Sequence, residues 1–379
     1  MQEREGGAVH NRLREARRAA GWSQGDLAAR AGVTRQTIGA LEAGLYAPTM
    51  AVALRLARAL GREVGALFWL ADERPAVPAE LLPGMGPAGD APLRVQVARV
   101  GGRTLARPAG AYAPADGLVA APPGAEHPYD RVLVELLTAP EVLDASVVVL
   151  GCDPALATLA AHLGRRHPGL RLIADNAGSL AALAALARGE AHVAGMHLRD
   201  QAAGEYNLPF VRRAFAGRHV AVVTAAHWEQ GLIVAAGNPR GIAGAADLAR
   251  PDLAIVNREA GAGSRAALDQ ALGAAGVAPA AVRGYDRTVG SHAAVAEVVA
   301  AGLADAGPGI RAAAAGRGLG FVPLVYERYD LVIPGEHRDA APVQALLDTL
   351  ASPGFRADLA ALPGYDASRT GSVVLDERV

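Results

Sequence analysis

Two helix starts separated by a glycine stand in the stretch WSQGDLAARAGVTRQTIGALEAG, at residues 22–44. Ser23, with Asp26 three residues later, is typical of a capping box that begins a helix. Gly32 can adopt the left-handed conformation that ends this helix, and Thr34 can cap the next one. Two short helices joined in this way form a helix-turn-helix, whose second helix enters the DNA major groove. The stretch therefore predicts a DNA-binding domain.

The first turn of the predicted second helix carries side chains that suit base readout. Arg35 can bridge O6 and N7 of guanine, Gln36 can bridge N6 and N7 of adenine, and Thr37 completes a polar turn. Residues 1–70 contain ten arginines and six acidic residues, whereas the whole chain has a net charge of −1. A basic N-terminal domain on a nearly neutral chain favours contact with phosphates. The alternative is a helical hairpin used only for dimerisation.

Cysteine content and hydropathy exclude several classes of protein. The single cysteine, Cys152, excludes an internal disulfide framework and a zinc site with several cysteines. Residues 1–21 are charged and lack an apolar core, so we expect no secretory signal, and no apolar run approaches the roughly 18 residues of a membrane span. We expect a cytoplasmic protein with no membrane partner. Because phosphate-loop, nucleophile-elbow, HExxH and CxxC motifs are missing, we expect no enzyme and no catalytic residue.

Composition and patterning divide the chain into four segments. Residues 1–70 predict an all-α bundle of five helices, and residues 71–92 are rich in Pro, Gly and Ala, as linkers are. Residues 93–143 contain short alternating segments and predict a small β-module. Residues 144–379 alternate strand and helix patterns, which predicts an α/β domain with a mainly parallel sheet and helices on both faces.

Four predicted helices of the α/β domain begin with small or polar residues. Such helix N-termini direct free N–H groups towards the carboxyl ends of the strands, where ligands bind. Glycine permits close approach of the backbone, and serine donates a hydrogen bond without adding charge, which suits a small oxyanion. The four starts are Cys152 with Asp153, Gly178 with Ser179, Gly263 with Ser264, and Gly290 with Ser291. The alternative for each serine is an ordinary N-cap.

Other polar residues near these starts are candidates for ligand contact. Arg265, in the third start, can add a charge-assisted hydrogen bond to an anion. Asp153 repels an anion unless it caps its helix or binds the cationic part of a different ligand. His197 and His292 can contact the ligand, sense pH or serve the structure, and Tyr326 and Tyr329 can close over the ligand or pack in the core.

Residues 11–70 resemble the Cro/repressor-type (XRE) helix-turn-helix family. The resemblance rests on the stretch SQGDLAARAGVTRQTIGALEAG, on the PT pair that follows it and on the helix RLARAL. It implies a homodimer on double-stranded operator DNA. The DNA-contacting residues are then Gln24 at a phosphate and Arg35, Gln36, Gly39 and Ala40 at the bases, together with Thr34 and Thr37 in the first turn.

Residues 144–379 are similar to type II periplasmic-binding-protein-like domains of the molybdate-binding type. The similarity rests on GSLAALAALARGEAHVAGMHLRD, QGLIVAAGNPRGI, VNREAGAGSRAALD and GFVPLVYERYDLVIP. It implies two lobes, one formed by about 144–226 and 321–379 and the other by about 227–320. The stretch RPAGAYAPADGLVAAPPGAE, within 93–143, resembles the C-terminal domain of the molybdopterin-biosynthesis protein that inserts molybdenum. Both resemblances imply molybdenum or tungsten metabolism.

These features predict a one-component transcriptional regulator whose cleft senses a small effector. The resemblances make molybdate or tungstate the expected effector, and we expect no other cofactor and no bound metal ion. One alternative keeps the architecture and changes the effector to a small organic acid or a molybdopterin-related metabolite. Another is an enzyme or chaperone of molybdenum-cofactor assembly. A transport binding protein is disfavoured because we expect no secretory signal.

Overall fold

A computed structural model describes residues 9–70, 74–83, 91–110, 113–119 and 131–379. The chain divides into two compact units. The first comprises Met1–Val97 and Arg103–Asp144, and the second comprises Ala98–Gly102 and Ala145–Val379. The first unit contains a helix bundle and a small barrel, and the second is an α/β domain. This succession confirms the predicted fold class. No helix among the described residues is both long enough and apolar enough to cross a membrane.

The first unit begins with the five predicted helices, flanked by two short strands. Each longer helix buries one apolar face, and Leu13, Leu27, Ile38, Leu41 and Leu56 are completely buried where these faces meet. The elements are β1 (Val9–Asn11), α1 (Leu13–Ala19), α2 (Gln24–Ala31), α3 (Arg35–Glu42), α4 (Met50–Leu60), α5 (Val64–Leu67) and β2 (Phe68–Leu70).

The helix caps predicted for the helix-turn-helix are confirmed. Ser23 Oγ accepts a hydrogen bond from the Asp26 N–H, and the Asp26 carboxylate accepts one from the Ser23 N–H, which completes the capping box. Gly32 ends α2 with a φ of 63°. Thr34 Oγ1 accepts a hydrogen bond of 3.1 Å from the Thr37 N–H. Local hydrogen bonds therefore determine where α2 ends and where α3 begins.

A two-stranded antiparallel sheet, which the sequence pattern does not predict, joins the two ends of the bundle. Val9 pairs with Leu70, and Asn11 pairs with Phe68. The fifth helix consequently ends at Leu67, not at the predicted Leu70, because Phe68 has an extended backbone.

Five strands close a small barrel in the order β3-β5-β4-β6-β7, around an interior that includes the completely buried Val95, Val97 and Val134. The strands are β3 (Ala76–Leu81), β4 (Leu93–Val100), β5 (Arg103–Pro108), β6 (Gly117–Val119) and β7 (Arg131–Leu136). A 3-10 helix follows at Pro140–Leu143.

The barrel corrects the predicted linker at residues 71–92. Strand β3 lies inside this segment and closes the barrel by pairing with β7 and β5, so the proline in AVPAEL belongs to a strand. Residues 71–73 and 84–90 of the predicted linker lie outside the described residues. So do several residues of the stretch that resembles the molybdenum-insertion protein, and that resemblance stays a prediction.

The second unit alternates strands and helices, with 3-10 helices at Ala245–Ala249 and Pro279–Ala281. Its elements are β8 (Ser146–Leu150), α6 (Leu156–Arg166), β9 (Arg171–Asp175), α7 (Ser179–Ala187), β10 (Val193–Met196), α8 (Leu208–Ala214), β11 (His219–Val234), β12 (Asn257–Arg258), α9 (Gly263–Ala274), β13 (Thr288–Val289), α10 (His292–Ala300), β14 (Ala306–Ile310), α11 (Arg311–Ala315), β15 (Gly320–Pro334), α12 (Gly335–Arg338), α13 (Ala341–Ala351), α14 (Pro353–Ala360), β16 (Tyr365–Asp366) and β17 (Val373–Arg378).

The main sheet of this unit is mixed, so the prediction of a mainly parallel sheet is wrong. Its order is β14-β11-β15-β10-β8-β9, with β16 and β17 also paired to β11. Strands β8, β9 and β10 are parallel, but β11 is antiparallel to each of its partners. The segments HVAVVTA and GLIV form the two ends of β11, and a long antiparallel pair with β15 results.

Strands β11 and β15 connect two lobes. The first half of β11 pairs with β17, and its second half pairs with β14. We call the part with β8–β10, α6 and α7 the first lobe, and the part with β12–β14, α9 and α10 the second lobe. Each lobe has apolar cores of its own, around Leu331 in the first and around Leu268 and Val295 in the second.

Candidate functional site

The predicted base-reading edge of α3 is open to solvent. Arg35 and Gln36 are exposed, and Thr37 is half-buried because its N–H and hydroxyl are held by Thr34. Ile38 on the opposite face is completely buried in the bundle. The helix thus presents a polar first turn outward on a fixed core, which is the arrangement that major-groove readout needs.

Gln24, predicted to contact a phosphate, is held inside the helix-turn-helix. Its amide donates a hydrogen bond of 3.0 Å to Glu42, which also pairs with Arg17 at 2.6 Å. The Gln24 side chain lies 3.8 Å from the position that a Cβ on Gly39 would occupy, and Ala40 is half-buried. Gln24 begins α2 and Glu42 ends α3, so their hydrogen bond links the two helices of the motif.

A cavity of about 250 Å³ lies between the two lobes, at the N-termini of α6 and α10. The first lobe contributes Cys152, Asp153 and Asn176, and the second lobe contributes Ser291 and His292. The Asn176 amide donates a hydrogen bond of 2.6 Å to the Gly290 carbonyl, so the lobes touch beside the cavity. Two of the four predicted helix starts therefore meet across one space.

His197 is the centre of a buried polar cluster beside this cavity. Its Nε2 lies 3.3 Å from Cys152 Sγ, and its Nδ1 lies 2.9 Å from the Glu327 carboxylate and 3.3 Å from the Gln230 amide nitrogen. Burial alone lowers the pKa of His197, but the neighbouring Cys152 sulfur and Glu327 carboxylate outweigh it and raise the pKa to about 10. The thiol, imidazole and carboxylate form a chain in which Glu327 orients the ring.

His292 completes this cluster from the second lobe. Its ring centroid lies 6.2 Å from that of His197, and the two rings and Cys152 each place one donor atom within 4.8 Å of the others. Neither ring nitrogen of His292 has a hydrogen-bond partner among the described residues, although the residue is 1% exposed. Burial, and then the charges of Arg258 and His197, lower the pKa of His292 well below its usual value, so the ring is neutral.

The three predicted serines behave differently. Ser179 is completely buried and accepts a hydrogen bond of 3.2 Å from the His197 N–H. Ser264 is also buried, and its hydroxyl has no partner in the described part of the chain. Gly263 packs against the His197 ring, which brings the start of α9 to the cluster. Ser291 is the ordinary N-cap of α10, because its hydroxyl accepts from the Ala294 N–H. The capping alternative thus describes Ser291 and does not describe Ser179 or Ser264.

The Asp153 carboxylate is occupied by partners of its own lobe. Its Oδ1 accepts hydrogen bonds from the Tyr365 hydroxyl at 2.6 Å and from the Ala155 N–H at 2.8 Å, at the start of α6. Burial raises the pKa of Asp153 to about 6 in spite of these donors. Asp153 therefore holds the turn that leads into α6, and its repulsion of an anion is reduced.

Two predicted contacts are corrected by their neighbours. The Arg265 guanidinium stacks on the Tyr285 ring at 4.6 Å and donates to the Arg258 carbonyl, so it is turned to its own lobe. Tyr326 is 49% exposed and stacks on His227 outside the cavity, because alternate residues of β15 face opposite sides. Arg258 and Tyr329 lie at the cluster instead.

Four residues that sequence reasoning missed surround the cluster. Trp228 packs edge-on against His197 at 5.0 Å, and its ring centroid is 4.7 Å from that of Tyr329. The completely buried Arg258 pairs with Glu259 and lies near His292, where its charge acts. The missed residues are Trp228, Gln230, Arg258 and Glu327. All four lie inside strands, where no cap or turn pattern marks them.

Comparison with known families agrees with this architecture. A family model described as a PBP superfamily domain matches residues 160–351, which is half of the chain. The chain belongs to this superfamily. A helix-turn-helix model matches residues 13–67. The protein therefore combines a helix-turn-helix domain of the transcriptional-regulator type with a PBP-like effector-binding domain.

Relatives cover both parts. The uncharacterized protein YvgK of Bacillus subtilis (strain 168) is 36% identical over 233 residues, which are 61% of this chain and 74% of that protein. An uncharacterized HTH-type transcriptional regulator of Methanothermobacter thermautotrophicus is 59% identical over 51 residues, which are 14% of this chain and 74% of that protein.

Solved structures resemble the PBP-like domain at low similarity. A putative phosphate ABC transporter substrate-binding protein from Clostridium perfringens, with bound phosphate, has a TM-score of 0.45 and 16% identity, covering 57% of this chain and 96% of that chain. The CcmR regulatory domain of Synechocystis PCC6803, in complex with 2-PG, has a TM-score of 0.42 and 14% identity, covering 54% and 94%. Their ligands are properties of those proteins.

Proposed function

We propose that the protein is a one-component transcriptional regulator whose interlobe cleft binds a small oxyanion that controls operator binding. The observation that carries the proposal is a set of buried polar atoms that lack a hydrogen-bond partner within the described residues. These atoms are Ser264 Oγ, Arg258 Nη1, Trp228 Nε1, the Tyr329 hydroxyl and both ring nitrogens of His292.

These atoms belong to neighbouring side chains. The Trp228 ring lies 5.8 Å from that of His292 and 4.7 Å from that of Tyr329, and the Arg258 charge acts on His292. Each buried polar group left without a partner costs about 1–3 kcal/mol, so a cluster of them is retained where a ligand supplies partners. Because most of the atoms are hydrogen-bond donors, the ligand that suits them is rich in acceptor oxygens.

Three acidic residues at the cluster have partners of their own. Tyr365 holds Asp153, His197 holds Glu327, and Arg258 pairs with Glu259 at 2.8 Å. Each of these three carboxylates thus has a local donor or cation, which reduces its repulsion of an anion. The exposed Asp175 also lines the cavity, so the proposed anion binds at the buried, unpartnered donors. Buried donors bind an oxyanion with less competition from water than exposed donors do.

The choice of anion rests on the sequence resemblance. Molybdate and tungstate present four acceptor oxygens in a tetrahedron, which the convergent donors of two lobes can contact from both sides. A small organic acid or a molybdopterin-related metabolite is the alternative effector. An enzyme or chaperone of molybdenum-cofactor assembly is the alternative from another class, and the proposed regulator has no catalytic step.

Control of DNA binding requires two states of the effector domain. The proposed regulator is a cytoplasmic homodimer on a pseudo-palindromic operator, with half-sites about 34 Å apart or a multiple of this distance. An anion that contacts both lobes favours the closed state, and this preference can bias how the two helix-turn-helix domains are spaced.

Calorimetry of the full-length protein against molybdate, tungstate, sulfate, phosphate and a panel of organic acids tests the proposal. We expect one of these oxyanions to bind. Since losing one hydrogen bond to a charged group costs about 1.5–3 kcal/mol, Ser264→Ala should weaken the binding of that oxyanion roughly ten- to a hundred-fold. Ser372→Ala, in a half-exposed loop outside the cleft, is the matched control.

Three outcomes contradict parts of the proposal. Binding of a neutral or cationic compound that depends on Ser264 would keep the sensor and overturn the oxyanion. Turnover of a molybdopterin compound would favour the enzyme. Operator affinity that is the same with and without the bound ligand, measured by fluorescence anisotropy, would remove the regulatory coupling.

A further inference from the structure

The cluster around His197 has the composition of a metal site. Cys152 offers a sulfur, and His197 and His292 each offer a ring nitrogen, with the three donor atoms within 4.8 Å of one another. A tetrahedral zinc ion, with bonds of about 2.0–2.3 Å, holds its ligands roughly 3.5 Å apart. The 3.3 Å separation of Cys152 Sγ and His197 Nε2 already meets this requirement. A small movement of His292 across the cleft completes the approach.

Glu327 prepares His197 for this role. A metal-binding histidine usually gives its other ring N–H to a carboxylate, which fixes the tautomer and the ring orientation. Glu327 lies 2.9 Å from His197 Nδ1 and can accept its N–H, while Nε2 faces Cys152. A metal ion that binds at Nε2 takes the place of the proton on that nitrogen. Glu327 is itself buried, with a side chain 4% exposed.

His292 is the independent observation that indicates a ligand. It comes from the second lobe, is 1% exposed, and has no hydrogen-bond partner for either nitrogen among the described residues. A histidine that only fills the core normally satisfies at least one ring nitrogen. Its ring is instead placed beside the rings of His197 and Trp228, with a nitrogen in reach of the thiol.

We propose that Cys152, His197 and His292 bind a divalent transition-metal ion between the lobes, and that zinc fits the three ligands best. One thiolate and two imidazoles suit a borderline-soft ion, and three protein ligands leave a fourth position open towards the cleft. This proposal departs from our expectation of no bound metal ion. It stands on its own three residues and does not depend on the proposed oxyanion, although an anion in the cleft can occupy the fourth position.

Cobalt binding to the full-length, untagged and metal-stripped protein tests the proposal. Cobalt(II) in a tetrahedral site with one thiolate gives a sulfur-to-metal charge-transfer band and intense visible bands. We expect both bands to appear with one equivalent of cobalt and to disappear when zinc is added. Cys152→Ser should remove the charge-transfer band, and His292→Ala should weaken cobalt binding at least ten-fold.

Two further variants separate direct ligands from a general effect on folding. Glu327→Gln should keep the charge-transfer band and weaken cobalt binding about 10–100-fold, because Glu327 positions His197 without touching the metal. His219→Ala, which removes a half-exposed histidine of β11, should change neither the spectrum nor the affinity. Circular dichroism and operator binding of each variant check that it folds.

Failure of the metal site and failure of the proposed function are distinguishable. If cobalt and zinc do not bind with one equivalent, or bind unchanged in both Cys152→Ser and His292→Ala, the metal site is wrong. Rapid alkylation of Cys152 in the presence of excess zinc would also overturn it, because a bound thiolate is protected. Calorimetry with oxyanions on the metal-stripped protein tests the oxyanion by itself.

Discussion

The helix-turn-helix and the interlobe cleft are built from the chain in opposite ways. The parts of the helix-turn-helix that define its function lie within residues 22–44, and hydrogen bonds between residues three apart hold them. The cleft cluster joins Cys152 to His197, His292 and Glu327, which come from four separate segments. One site is encoded locally, and the other exists only when the second unit is folded.

This difference has a physical consequence for the two sites. The DNA-reading side chains Arg35 and Gln36 are exposed and depend on their own helix, so changes to them affect recognition more than stability. The cleft side chains are buried and contact one another, so changes to them affect binding and stability together. A substitution in one region should therefore leave the stability of the other unchanged, and the stability of the two regions should depend differently on pH.

The largest expected effect comes from Trp228→Ala. Trp228 is completely buried between the cleft histidines, Tyr329 and Tyr365, and truncating such a side chain costs about 3–5 kcal/mol. Hydrogen exchange, read separately for the two units, should show this loss in the second unit and no change in α2 and α3. Trp228→Phe is the control that keeps most of the packing. Equal loss of protection in α2 and α3 would mean that the two regions do not respond separately.

The next effect in size is a dependence of the second unit on pH. Burial, and then the neighbouring His337, lower the pKa of His192 to about 4, and its Nδ1 accepts a hydrogen bond of 3.0 Å from the Val148 N–H. The unfolded chain takes up a proton near pH 6.5 and the folded one near pH 4, so stability falls as pH falls between these values. The loss is about 3 kcal/mol.

Urea unfolding between pH 7 and pH 4 measures this dependence. His192→Asn, which keeps an acceptor for Val148 and does not titrate, should reduce the slope of the second unit. The helix-turn-helix domain contains one histidine, the exposed His10, and should keep its stability down to about pH 5. Below that pH, protonation of Glu42 and Asp26, whose pKa values are lowered in the folded domain, begins to destabilise it. A slope that is unchanged in His192→Asn would assign the pH dependence to other groups.

The smallest effect in free energy concerns Arg35→Ala and Gln36→Ala. Each should lose about 1–3 kcal/mol of discrimination at one base position, because each side chain can make a bidentate contact with a base. Footprinting at physiological salt against single-base operator variants measures this loss. Arg58→Ala, in the last turn of α4, is the control for a general loss of charge. Footprints of Arg35→Ala and Gln36→Ala that match the wild type would exclude α3 as the reading helix.

The helix-turn-helix could be predicted from sequence because its signals are local. Ser23, Gly32 and Thr34 each act on a neighbour within three or four residues, and all three behave as predicted. The pairing of β1 with β2 and the barrel strand β3 were missed, because both depend on partners far along the chain.

The cleft could be predicted only in part. The helix starts at Cys152, Ser179 and Ser264 were found because glycine and serine mark a turn from strand to helix. Glu327 could not be found in this way, since its place beside His197 follows from the register of β15, in which it pairs with Trp228. Arg258 was missed for the same reason, as it lies in the two-residue strand β12.

The register shifts between β11 and β15 have a mechanical consequence. A pair of neighbouring strands bends most readily where a bulge interrupts its ladder of hydrogen bonds. The shifts lie at Thr224/Ala226 and at Gln230/Gly231, and the Gln230 side chain reaches to 3.3 Å from His197. The Gln230 side chain thus lies both at a bulge of the β11–β15 pair and beside the centre of the cleft. A ligand that immobilises His197 therefore also restricts bending of these two strands.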